Sequence, residues 1–193
     1  MKSDLGQRAG GPSPVRERLA QQADSATQEL KGAVSDSFAR FVISDNSLGE
    51  ALRFAAGVAL RAVPSADAAA VSLTGKRSAE VEVNTGDRMD ISGLHRADQR
   101  GPCQKALEDG SSQVVASMLS ENRWPEFTNA ALYNGVQSVV ACPLSLIDGG
   151  QGILCLYSSR EGAFGAQDVA VAEFVSHRTS VLLSNVRAYE SAA

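Results

Sequence analysis

The sequence predicts an α+β layered domain, an antiparallel sheet with helices segregated towards its two ends. Three observations carry this. Apolar residues recur every three or four positions before Pro64 and after Gly165, every second position after Pro64, and in two runs joined by Asp148-Gly149-Gly150. A period near 3.6 buries one face of a helix, a period of two buries one face of a strand, and an Asp-Gly turn between apolar runs closes a hairpin.

Residues 1–14 contain Gly10-Gly11-Pro12-Ser13-Pro14 and no apolar period, so they read as a flexible tail. Residues 15–46 form a long amphipathic helix and its exit. The stripe Val15, Leu19, Ala23, Ala26, Leu30, Ala33/Val34, Phe38 and Phe41 is mostly small. It permits close approach but buries little area per turn, so the helix requires a partner, the domain itself or a second subunit. Asp45-Asn46-Ser47 breaks and caps the chain before a second helix, Leu48 to Val63, which Pro64 ends.

Residues 47–190 make up the main domain. Asp67 to Leu73 reads as a buried strand, Thr74-Gly75-Lys76 as a turn, and Ala79 to Asn84 as a half-exposed strand. Gly86 to Gly101 is polar, with one or two helical turns between Arg88 and Gln99. A short helix from Pro102 to Glu108 begins with a proline whose missing N–H costs nothing in the first turn. Gln113 to Ala116 is a short strand, and Trp124 to Tyr133 a helix stopped by Asn134-Gly135. Ser138 to Leu146 and Gly152 to Ser158 are central strands. The final helix, from Gly165, carries two adjacent apolar stripes, enough to cover the sheet and face another helix.

Composition narrows the function. The 193 residues carry a net charge of -4 with scattered basic side chains, against a phosphate-binding surface and direct nucleic-acid contact. No apolar run approaches the roughly 20 residues of a membrane span, and the N-terminus lacks a signal-peptide core, which predicts a cytoplasmic protein. Cys103, Cys142 and Cys155 are too few for a secreted disulfide framework or a four-ligand zinc site, and His95 and His177 stand in no metal spacing. No metal or haem is expected. Phosphate-loop, His-Glu-x-x-His and Gly-x-Ser-x-Gly signatures are absent.

The order Gly101-Pro102-Cys103, Arg123-Trp124-Pro125 with Phe127, then Gly135-Val136-Gln137-Ser138 before Pro143-Leu144 resembles a GAF domain over roughly Leu48 to Tyr189. It is similar to the modules of bacterial, especially actinobacterial, signalling proteins, including those joined to a C-terminal RNA-binding ANTAR bundle. The resemblance implies a central antiparallel sheet of five or six strands, terminal helices on one face, and a ligand pocket on the other. Cys103, Trp124, Phe127, Cys142 and Tyr157 are the pocket candidates by resemblance and strand placement. The terminal helices are expected to make a homodimer. The ligand is unknown.

Chemistry at these residues is weighed against packing. Cys103 starts a helix, where the dipole favours a thiolate, yet the triplet also serves as a turn with a buried thiol as pocket wall. Arg123 either stacks on Trp124 or meets an anion. A hairpin centred on Gly149-Gly150 sets Cys142 opposite Tyr157 and Leu144 opposite Cys155. The thiols are then diagonal neighbours about 7–8 Å apart, reduced core residues, though a one-residue shift changes the faces. His177 lies with Glu173, Ser180 and Ser184 on the polar side of the last helix rather than in a pocket. Phe164 and Asp168 match part of a cyclic-nucleotide element, but Ser158-Ser159 replace its Asn-Lys pair, and Asp168 reads as a helix-start carboxylate.

The expected function is a non-catalytic sensory or regulatory module that binds a small molecule or a protein partner and signals through dimer helices. A thiol enzyme similar to the free methionine-(R)-sulfoxide reductases is the rival, although their Gly-His-Ile-x-Cys-Asp segment is missing. A third reading is the regulatory subunit of a transcription antitermination system, since the sequence ends at Ser191-Ala192-Ala193, where an ANTAR bundle would begin.

Overall fold

A computed structural model describes residues 14–45, 47–74, 79–85, 89, 91, 94 and 100–192. The tail, His95 and most of the polar stretch from Gly86 to Gly101 lie outside these residues. In chain order the elements are α1 (Pro14–Ala39), a 3-10 turn (Ile43–Asp45), α2 (Leu48–Ala62), β1 (Ala68–Thr74) and β2 (Ala79–Thr85). Then follow α3 (Pro102–Asp109), β3 (Gln113–Val115), α4 (Pro125–Tyr133), β4 (Ser138–Ser145), β5 (Gln151–Ser158) and α5 (Ala166–Ala192).

The strands form one antiparallel sheet in the order β2-β1-β5-β4-β3. Because side chains alternate along a strand, the sheet sorts its residues into two cores. Ala69, Val71, Leu73, Val140, Cys142, Leu144, Leu154 and Leu156 meet α2, α5 and Val34 of α1 on one face. Ala68, Ala70, Val139, Ala141, Ile153, Cys155 and Tyr157 meet α3, α4 and Met118 on the other. Burying one such leucine contributes about 1.5–3 kcal/mol, so both layers hold the sheet.

Each helix is placed by a local device. Ser47 and Glu50 form a reciprocal capping box at the start of α2, with the Ser47 N–H donating to Glu50 Oε2 at 2.7 Å. The Leu48 N–H donates to Glu190 Oε1 at 3.0 Å, tying that start to the end of α5. Alanines 51, 55, 56, 59 and 62 let α2 lie close to the helix layer beside α5. The second half of α1 is pinned by Phe38 and Phe41, whose rings pack 5.4 and 4.9 Å from that of Phe54. Residues 17–26 of the same helix are exposed along their whole circumference.

The β4–β5 turn corrects the expected register. Ser145 pairs with Gln151, so five residues, Leu146 to Gly150, form the loop and its centre is Asp148 rather than Gly149-Gly150. Gly149 adopts φ +82°, the left-handed conformation that favours glycine. The pairing shifts by an odd number of residues, and every side chain changes its expected partner face. Cys142 stands opposite Leu154, and Cys155 opposite Ala141.

Candidate functional site

The face away from the terminal helices gathers four of the five pocket candidates. Gly101, extended at φ -115°, is the N-cap of α3, and Pro102 supplies its first turn. That geometry sets Cys103 over the middle of β5, where it is disulfide-bonded to Cys155 with Cα atoms 7.0 Å apart. The expectation of two reduced thiols at Cys142 and Cys155 therefore fails for Cys155. Its partner comes from α3, 52 residues earlier, and not from the adjacent strand.

Phe127 is fully buried beneath α4, and Tyr157 nearly so. Trp124 is the N-cap of α4 and packs half-buried against the same cluster. The Arg123 guanidinium stacks 4.1 Å from the Trp124 ring centroid and is held by Glu121, with Nη2 to Oε2 at 2.7 Å and Nε to Oε1 at 3.0 Å. The bond to Arg123 holds the Glu121 carboxyl below its usual range, and that to Glu121 holds the guanidinium above its own. Of the two roles open to Arg123, stacking is realised, and its charge is already matched.

Thr128, one residue after Phe127, is a site residue that the sequence did not flag. Its side chain is buried, and Oγ1 has no hydrogen-bond partner among the described residues. A buried hydroxyl left unsatisfied costs about 1–3 kcal/mol, so this face contains an unused polar handle beside Phe127. The only advance signal was a threonine inside an otherwise apolar helix segment.

Cys142 does not join this face. It belongs to the helix-side core, and burial pushes its thiol up to about 12, with the Ser112 hydroxyl acting against that and the Glu173 carboxylate adding to it. The thiol stays protonated and is no nucleophile at neutral pH. It floors a groove of about 380 Å³ whose walls include Ser112, Pro143, Glu173 and His177. The expectation of a solvated helix side holds for Glu173 and His177, which are exposed, and fails for Ser180 and Ser184. Ser180 and Ser184 are buried, and Glu173, His177 and Ser180 line the groove.

The serines have a structural task there. Beyond Ala141, β4 has no strand partner on its outer edge among the described residues, because β3 is only three residues long. The edge is covered by α5 instead. Ser176 Oγ donates to the Pro143 carbonyl at 2.6 Å, Ser180 Oγ accepts the Ser145 N–H at 3.2 Å, and Ser184 Oγ accepts the Ile147 N–H at 3.0 Å. Positions four apart on a helix match positions two apart on a strand, 6.0 Å against roughly 6.6 Å of rise. Pro143 suits this edge because it has no N–H to satisfy.

The residues that replace the cyclic-nucleotide pair are also structural. Asp67 Oδ2 accepts from Ser158 Oγ at 3.1 Å and from the N–H and Oγ of Ser159 at 2.8 Å each, tying β1 to the end of β5. Asp168 Oδ2 accepts the Gly165 N–H at 2.9 Å at the start of α5. Among the described residues, no three His, Cys, Asp or Glu side chains are close enough to hold a metal ion, and no helix is long and apolar enough to cross a membrane.

A sheet carrying helices on one face and the α3–α4 cluster on the other is the GAF arrangement, and a family model for the GAF domain matches residues 45–184. The chain belongs to the GAF domain family, whose members are commonly sensory or regulatory modules. No curated protein matches it. Among solved structures it is similar to the free methionine-R-sulfoxide reductase of Neisseria meningitidis, solved with its substrate: TM-score 0.59, 14% identity, 94% of this chain and 96% of that one. The N-acylhomoserine-lactone-dependent LuxR-family transcription factor CepR2 of Burkholderia cenocepacia gives 0.63 and 16%, over 85% and 99%. A domain of a sensor histidine kinase protein from Sinorhizobium meliloti gives 0.58 and 13%, over 76% and 97%. At these identities the likeness is one of fold.

Proposed function

We propose that this chain is a non-catalytic sensory or regulatory module of the cytoplasm, which binds a small molecule or a protein partner and passes the signal through the terminal helices of a homodimer. One observation carries the reading. The first half of α1 projects with residues 17–26 exposed, and its stripe of Leu19, Ala23 and Ala26 is covered by none of the described residues. A helix of this kind does not persist alone in water, so a second copy covering it accounts for its length. Signalling then consists of a ligand-dependent change in how α1 and α5 pack across the dimer. Light scattering at micromolar concentration tests the assembly: a dimer mass that Leu19→Glu halves is expected, and a monomer mass for the unaltered protein overturns it. Antitermination regulation is the form this function takes if the partner supplies the RNA-binding part.

The bonded pair Cys103–Cys155 favours a second reading, a thiol enzyme acting on methionine sulfoxide. NADPH-coupled reduction of free methionine sulfoxide decides it, and absence of turnover ends it.

A further inference from the structure

We propose that the groove between α5, the open edge of β4 and the loop before β3 is a second binding site, specific for a small basic metabolite carrying an ammonium or guanidinium group. It does not depend on the sensory reading and lies on the opposite side of the sheet from Cys103, Phe127 and Tyr157. Its volume of about 380 Å³ is in the range of small-molecule sites.

The chemistry of the walls selects the ligand. Glu173 is the one carboxylate among the lining residues, and no lysine or arginine lines the groove to offset its charge. The nearest cation on the same helix, Arg178, is turned away and stacks 5.7 Å from the Phe174 ring. Glu173 and His177 stand four residues apart on one face of α5, and neither makes a hydrogen bond or ion pair among the described residues. The Glu173 carboxylate therefore offers unused acceptors to this volume. Ser176 and Ser180 line it too, but their hydroxyl protons are committed to the carbonyls of Pro143 and Ser176. What they still offer is lone pairs. The Glu173 carboxylate, with no lysine or arginine beside it in the lining, favours a group that carries positive charge and donates hydrogen bonds.

Its floor excludes the alternatives. The Cys142 thiol, pushed up to about 12, adds neither a charge nor a nucleophile, so binding there is non-covalent. An anion would meet Glu173 without a compensating cation, and an apolar molecule would strip water from the carboxylate and imidazole without replacing their hydrogen bonds.

The test uses the full chain and agmatine, which carries an amine at one end and a guanidine at the other. The sequence has two histidines, so its imidazole proton spectrum is simple, and His177→Gln assigns the groove signal. Agmatine is expected to move the His177 signal saturably, while 1,4-butanediol and glutarate of similar length leave it in place. Glu173→Gln keeps the shape and removes the charge, and agmatine should then bind about tenfold more weakly or worse. Glu126→Gln, an exposed carboxylate on α4, controls for general charge and should bind unchanged. Absence of a saturable shift overturns the proposal, as does equal binding of the diol, or equal weakening by Glu126→Gln and Glu173→Gln.

Discussion

Cys142 and Cys155 lie on neighbouring strands of one hairpin yet face opposite sides of the sheet, Cys142 paired with Leu154 and Cys155 with Ala141. One thiol looks into the helix layer and the other bonds to Cys103 on the far face. The two have separate chemistry, and each can be probed alone.

Cys142 makes stability depend on alkaline pH. An unfolded thiol titrates near 8.5, whereas burial raises the native one to about 12. Below about pH 8.5 both states hold the proton and the contribution is constant. Above it only the unfolded state loses the proton, so stability falls as pH rises towards 12, by at most about 1.4 kcal/mol per pH unit from this group. Urea melts from pH 8 to pH 10.5 should show the decline, with a smaller slope for Cys142→Ala.

Ser180 connects α5 to the β4 edge beyond the end of β3. Ser180→Ala removes the acceptor for the Ser145 N–H and should cost about 1–2 kcal/mol, a net hydrogen bond plus partial desolvation of the donor. Ser191→Ala removes only a bond to the Arg187 carbonyl of the same exposed helix end, and its midpoint in urea should stay within about 0.5 kcal/mol of the parent.

Gly152 is required by the closeness of β5 to β1. A Cβ there would lie 2.5 Å from the Ser72 carbonyl oxygen and 2.9 Å from Leu73 Cδ2. Backbone cannot yield as a flexible side chain does, so Gly152→Ala should cost about 2–3 kcal/mol. At Gly32, where an added Cβ meets nothing within 4 Å, alanine should be neutral or stabilising by about 1 kcal/mol in the same melts.

Ser47 sets the start of α2. Ser47→Ala should lower stability by about 1 kcal/mol, since it removes the cap of a Glu50 backbone N–H. The Ser47 N–H and, after it, the Ser47 hydroxyl hold the Glu50 carboxyl below the ordinary range; alanine keeps the first bond and loses the second, whose contribution is present at neutral pH and lost as pH falls through that lowered value. Comparing thermal melts at pH 7 and pH 3 should show a smaller gap between parent and Ser47→Ala at the lower pH.

Much of this architecture was legible because its causes are local. The capped start of α2, Pro102 and Pro125 in first turns, and the loop between β4 and β5 are signals within a few residues of their effect. Phe127 and Tyr157 were placed on one face because strand alternation and the family motif agree. Cys142 was misplaced because a small change in the centre of one turn reverses a face, and the Gly149-Gly150 pair does not show that the middle is Asp148, ahead of both glycines.

By itself the sequence determined the elements, their order, the two-sided sheet and the family, since hydrophobic period, capping residues and turn chemistry act over short range. Tertiary structure alone decided that Cys155 meets Cys103, that Arg123 spends its charge on Glu121, and that Ser176, Ser180 and Ser184 seal the β4 edge. It also brought Ser112 and Cys142 beside the exposed Glu173 and His177, so that this side of α5 walls a groove. These depend on which strand ends short and which helix crosses it, distances set by packing between segments that sequence separation does not encode.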